Sequence, residues 1–134
     1  MFELIKLGII VVCFVCILVV MKGKIFVSKF WTKVFSFGKA EAITIFPFIF
    51  LRRRNLKADS ILLNHERIHL LQALELLILP FYVWYILEFG IRFIQFRDFD
   101  RAYRNISFER EAYGNQGNKN YLYERKLWSF WKYL

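Results

Sequence analysis

Histidine is almost missing from this chain, with two in 134 residues. Cysteine is equally scarce, and both copies, Cys13 and Cys16, fall inside the most apolar run. A C-x-x-C spacing in a polar loop would suggest redox or metal chemistry. Thiols buried in hydrocarbon are desolvated and unreactive, so these two are read as packing residues. No disulfide framework can be built from them. Acidic residues are short as well: 11 against 20 Lys and Arg, a net charge of +9. Yet 57% of residues are hydrophobic and 20% aromatic, well above a soluble norm. Very apolar and very basic together suit an anionic membrane surface better than nucleic acid. Aromatics interleaved with basic residues can bind single strands. Here they sit inside long apolar runs rather than on polar platforms, so no nucleic-acid partner is expected.

The length suits one small domain plus a membrane segment. Leu7 to Met21 is uncharged, and adding Leu4 and Ile5, with Lys6 snorkelling, gives roughly the length of one helical span. Val19-Val20-Met21 offers no small-residue cleavage site, so residues 1–23 are expected to form an uncleaved anchor helix. Lys22, Lys24, Lys29, Lys33 and Lys39 follow the run, whereas Lys6 stands nearly alone before it. That asymmetry places the rest of the protein on the cytoplasmic side, with membrane lipid as a partner.

The remainder, 24–134, reads as mainly helical. Ile25 to Phe37 is expected to be an interfacial helix or a strand ending in a turn at Gly38. Ala42 to Leu51 is β-branched and aromatic, so it reads as an edge strand or a hairpin broken at Pro47. Arg52-Arg53-Arg54-Asn55 then turns. Asp59 or Ser60 can cap a helix over about 60–79, with Leu70, Leu71 and Leu74 in its core. Pro80 interrupts it, and a return helix over about 81–96 brings Phe81 into the same core. A short helix follows over about 107–113. A C-terminal helix over about 119–133, with Trp128, Trp131, Arg125 and Lys132, suits a membrane interface or a packed lid.

The two histidines fall in Asn64-His65-Glu66-Arg67-Ile68-His69, an H-E-x-x-H pattern. On a helix, His65 and His69 project one turn apart from one face and can take two corners of a tetrahedral Zn²⁺ site. Glu66 stands where such sites need a base to take a proton from a zinc-bound water. With no histidine left, the third ligand must be a carboxylate. Glu75, Glu88, Asp98, Asp100, Glu109, Glu111 and Glu124 are available. Glu75 lies six residues after His69, about 240° round the helix, and cannot easily join the pair. Asp98 and Asp100 read as helix-terminal charges paired with Arg97 or Arg101. Glu109 and Glu111, in Phe108-Glu109-Arg110-Glu111-Ala112-Tyr113, are better placed to fold back.

His65-Glu66-x-x-His69 followed by E-x-E-A resembles the gluzincin metallopeptidases, nearest the membrane branch with the CaaX prenyl protease and the heat-shock membrane protease. Their third zinc ligand is the first Glu of E-x-x-A-D on a separate helix. The resemblance, over about 63–116, implies a zincin-like domain with Glu109 as the ligand. It makes Ala112 the small residue that lets two helices approach, and puts Tyr113 where the family has a supporting Asp. Gln72 matches the last residue of H-E-x-x-H-x-x-Q variants. Glu111, Tyr113, Gln72, Tyr103 and Arg104 are then candidates to support the ligands or an oxyanion. The implied activity is peptide-bond hydrolysis with Glu66 as general base, on a peptide or protein near the membrane. The rival is an inactive metal-binding or partner-binding small membrane protein.

Zinc binding also constrains topology. A straight span through Ala73 to Ile94 would put His65 and Glu109 on opposite sides of a bilayer, so the chain must fold back, most simply at Pro80.

Overall fold

A computed structural model describes residues 22–36 and 38–134. The anchor expected over 1–23 therefore lies outside the described residues, apart from Lys22 and Gly23, as do Cys13 and Cys16. The fold is mainly helical with one small sheet. In order come β1 (Lys24–Val27), α1 (Lys29–Phe35), β2 (Ala42–Ile45), β3 (Phe48–Leu51) and a 3-10 turn at Arg54–Ala58. Then follow α2 (Ser60–Glu75), α3 (Leu79–Phe96), α4 (Phe99–Arg104), α5 (Ser107–Asn115), α6 (Tyr121–Glu124) and a 3-10 turn at Ser129–Tyr133.

The segment expected to be either helix or strand is both in turn. Ser28 ends β1 and its hydroxyl accepts from Trp31 N, capping α1. β2 and β3 form an antiparallel hairpin, with Pro47 in the turn between them, where its missing N–H disturbs no ladder. β3 is not an edge. β1 pairs with it in parallel, Lys24 opposite Phe48, giving the order β1-β3-β2. Gly23, at φ +64°, brings the chain into that sheet, and a Cβ there would lie 2.8 Å from Leu70 Cδ1 and 2.9 Å from Ile49 Cδ1.

Helix α2 runs between two packed layers. Leu63 and Leu70 meet Ala42, Ile49 and Leu51 of the sheet. Its other flank sends Ala73 and Leu76 against Phe81, Ile106, Phe108 and Phe130. Asp59 accepts from Ile61 N and Leu62 N and fixes the start of α2.

The end of α2 corrects the sequence expectation. The helix stops at Glu75, short of 79, because Leu77 and Ile78 both take positive φ, 59° and 65°. Ile78 N donates back to Ala73 O and reverses the chain. Pro80 then lies in the first turn of α3, where a missing N–H costs no hydrogen bond. The break thus precedes the proline rather than falling on it. Among the described residues no single helix is long and apolar enough to cross a membrane; α2 and α3 together would be, but they are bent by 113°.

Two further elements depart from the sequence reading. Helix α4 occupies a stretch expected only to terminate its predecessor, and Asp98 starts it by accepting from Arg101 N at 2.7 Å. The C-terminal helix expected over 119–133 is broken into α6 and the 3-10 turn, with Arg125 extended and Trp128 at φ +60°. Arg125 and Phe130 are both directed inward. Five residues apart, they would lie roughly 140° apart on a continuous helix.

Candidate metal centre

Helix α2 carries both histidines on the face turned toward α5. His65 Nε2 and His69 Nε2 are 3.1 Å apart. Glu109, from the first turn of α5, sets Oε2 at 3.2 Å from His65 Nε2 and Oε1 at 3.1 Å from His69 Nε2. The three side chains are buried, Glu109 with 1% of its surface exposed. Together they form the group of ligand atoms able to hold one metal ion among the described residues.

Glu109 reaches this position because Glu88 of α3 holds the start of α5. Ile106 offers no side-chain cap, so Glu88 accepts from Ser107 N at 2.9 Å and from the Ser107 hydroxyl at 2.6 Å. A buried carboxylate at a helix N-terminus is favoured by the free N–H groups there. Ala112, one turn after Phe108 and fully buried, lets α5 lie close to α2.

The remaining carboxylates are engaged elsewhere. Glu111 faces the opposite side of α5, about 200° round from Glu109, and binds Arg125 Nε at 2.6 Å. Glu75 binds Arg125 Nη2 at 3.0 Å. Asp100 pairs with Lys39 at 3.0 Å, not with Arg97 or Arg101.

The donor set fits a metal. Tetrahedral ligands at zinc distances of about 2.0–2.1 Å lie roughly 3.3 Å from one another, close to the observed separations. Glu109 Oε2 is buried without a hydrogen-bond donor, although it lies against His65 Nε2. The far side of each ring explains this. His69 Nδ1 lies 2.8 Å from Gln72 Oε1, and the Gln72 amide nitrogen donates to Phe108 O and Glu111 Oε2. Gln72 therefore presents an acceptor to the proton on His69 Nδ1, and Nε2 faces the cluster, where it becomes a lone-pair donor once a metal displaces the proton that Glu109 holds there. Gln116 Oε1 stands 3.1 Å from His65 Nδ1 in the same way. Three lone-pair donors converge on one point, and a cation is what such a set stabilises.

The same geometry perturbs protonation. Burial pushes the His69 imidazolium down, but the Glu109 carboxylate outweighs it by Coulomb attraction and hydrogen bonding and lifts the pKa to about 9. Burial alone would raise Glu109; the two histidines hold it well below the usual carboxylate range. Tyr85 donates to Glu109 Oε1 at 2.6 Å, and burial followed by the Glu109 charge keeps it protonated far above its ordinary range.

Glu66 is buried beside the pair, close enough for its charge to act on His69, Tyr103 and Tyr113. The Thr44 hydroxyl of β2 holds its Oε2 at 2.6 Å. Tyr113 does not take a hydrogen-bonding place behind a ligand. Its ring packs edge-on against His65 with centroids 4.6 Å apart, and Arg104 lies over its outer face at 5.4 Å. Tyr103 is partly buried near Glu109, and desolvation followed by the Glu109 charge raises its pKa well above the ordinary value.

Sequence reasoning passed over Thr44, Tyr85, Gln116 and Arg125. Thr44 and Tyr85 are ordinary strand and helix residues whose roles exist only after folding. Arg125, the seventh residue of a stretch read as an interfacial helix or a packed lid, gave no sign of burial. Through Glu111 it reaches Gln72 and hence His69, a four-residue chain ending on a proposed ligand. Gln72→Leu is expected to lower metal affinity about 10- to 100-fold while Glu111 stays paired, as removal of a group behind a ligand does. Competition titration with a chromophoric chelator would measure it; unchanged affinity would remove Gln72 from this role.

Comparison with protein-family models, with curated proteins and with solved structures finds no match, so the resemblance to gluzincins rests on the motif residues alone.

Proposed function

We propose that this chain is a zinc-dependent metallopeptidase of gluzincin type, held at a membrane by its N-terminal apolar run. The observation that carries the reading is the buried meeting of His65, His69 and Glu109 beside a carboxylate, Glu66, on the same helix turn. Zinc at those three ligands would supply a Lewis acid for a peptide carbonyl and lower the pKa of a water to about 7. The chain's own residues do the rest. Glu66, oriented by Thr44, takes a proton from the attacking water and returns it to the leaving amine. Tyr85 holds Glu109 in the orientation that meets both imidazoles.

An extended peptide could pair with the outer edge of β2. That edge is partly used: the Tyr82 hydroxyl accepts from Phe46 N at 2.9 Å and lies 3.4 Å from Thr44 O. A substrate strand would take over both groups by displacing Tyr82. Such a peptide would lie over the Thr44 that holds the base.

The closed character of the site supports a second reading, a metal-binding protein without turnover, since both histidines, Glu66 and Glu109 are all buried. The two are separated by Glu66→Gln assayed for zinc content and for cleavage of a peptide library. The peptidase reading expects full zinc and a kcat lower by about 10²- to 10⁴-fold. Equal rates in wild type and variant would remove Glu66 as base, and a wild type with zinc but no cleavage would leave the second reading.

A further inference from the structure

Helix α3 is amphipathic the wrong way round for a protein surrounded by water. Its inward face carries Tyr82, Tyr85 and the buried Glu88, all in hydrogen bonds to neighbouring elements. Its outward face carries Leu79, Val83, Ile86, Leu87, Ile91 and Ile94, each 55–74% exposed. These positions follow the i, i+4, i+7 spacing of one continuous stripe that contains no charge. From Leu79 to Ile94 the stripe extends over roughly 22 Å. Protein interfaces usually make hydrogen bonds across them, and the six side chains of this stripe have no polar atom to make one.

We propose that the outward face of α3 is seated among the headgroups and outer acyl chains of an anionic bilayer, with the helix lying in the plane of the membrane. Three observations favour lipid as the occupant. The stripe is wholly apolar and of the length an in-plane helix presents. The uncharged run Leu7 to Met21 ahead of the described domain is long enough to tether it beside a bilayer. The net charge of +9 complements anionic headgroups, and exposed Arg97 and Arg101 stand just past the end of the stripe. A helix is roughly 10 Å across. Tyr85, on the inner side of α3, touches Glu109, so α3 is the wall between the candidate metal centre and the lipid. On the peptidase reading, which this clause alone requires, the substrate would be a peptide segment entering from the membrane surface.

The test is spin labelling of the full chain, with Cys13→Ala and Cys16→Ala so that only introduced thiols react. Nitroxides are placed through Ile86→Cys, Ile94→Cys and, as a water-facing reference, Lys119→Cys. The protein is reconstituted in vesicles of mixed phosphatidylcholine and phosphatidylglycerol. All three positions are exposed, and near-UV ellipticity matching the parent confirms each variant is folded. Labels at 86 and 94 are expected to relax with oxygen and to be shielded from a water-soluble nickel chelate, the reverse of the label at 119. Chelate access at 86 and 94 equal to that at 119 would overturn the proposal, showing the face in water. Exclusion of both reagents would overturn it too, showing a cover of protein from a second copy or from the N-terminal run. Neither readout depends on metal or catalysis, so lipid seating can fail while the peptidase reading stands, and the reverse.

Discussion

Glu109→Ala is expected to abolish stoichiometric zinc binding and to destabilise the metal-free chain by about 3–5 kcal/mol. Zinc held in a buried site contributes about 10–16 kcal/mol at neutral pH, and losing one of three ligands removes a large share. The loss without metal has a separate origin. Glu109 is the carboxylate that holds the His69 proton in a buried setting, and alanine leaves two imidazoles with no anion between them. The pH dependence follows from the shifts. His69 has its pKa raised from 6.5 to about 9, so its contribution is full below 6.5 and is lost as pH rises through about 9. Glu109 is depressed below its ordinary 4.5, so its contribution is present above 4.5 and is lost as pH falls through its lowered value. The metal-free protein should therefore be most stable between about pH 4.5 and 6.5. Zinc must displace the His69 proton, so its apparent affinity should climb by up to tenfold per pH unit toward pH 9. In Glu109→Gln both trends should flatten, because the strongest group raising the His69 pKa is gone and only Glu66 and Gln72 still oppose burial. Plasma emission metal analysis with urea titrations across pH would check all of this. Retention of one zinc per chain in Glu109→Ala would refute the ligand assignment.

The parts of the site legible beforehand were those that lie close in sequence. His65, Glu66 and His69 share a helix turn, so helical periodicity alone sets their relation. Glu109 came from a resemblance in motif, and the structure brings it, not Glu111, to the histidines. The separation within E-x-E explains why: two residues apart on a helix, the carboxylates face opposite ways, one to the histidines and one to Arg125. The fold was legible where local chemistry decides it, as at the Asp59 cap and the Pro47 turn. It failed where tertiary contacts override local preference. Leu77 and Ile78 are poor candidates for positive φ, and they adopt it because Leu76 and Phe81 must enter one core from consecutive helices. The C-terminal segment has helical composition, yet inward placement of both Arg125 and Phe130 breaks it. Nothing local announces that β1 joins β3 from a distance of more than 20 residues.

Arg125→Ala should be the most destabilising single change away from the metal ligands, lowering stability by about 3–5 kcal/mol. Its guanidinium binds Glu75 and Glu111 at once, and the three side chains are 4%, 3% and 0% exposed. Burial acts to lower the Arg125 pKa, but the two carboxylates more than offset it, so the residue stays charged at any accessible pH. The triad carries one positive and two negative charges. Tyr121 donating to Glu111, Gln72 donating to Glu111 and Trp128 N–H donating to Glu75 spread the excess. Alanine would strand two carboxylates in the interior with only neutral donors left. A domain of this size has about 5–15 kcal/mol to lose, so the midpoint of urea unfolding should drop by about a fifth or more. Adding Glu75→Gln should recover part of it, since one stranded charge is removed while the acceptor for Trp128 N–H remains. The same variant should also weaken zinc binding about tenfold or more, because Glu111 without Arg125 no longer fixes the Gln72 amide behind His69. A full stability loss with unaltered zinc affinity would mean that the triad braces the C-terminal segment alone. Both effects together would mean that it braces the metal centre through Gln72.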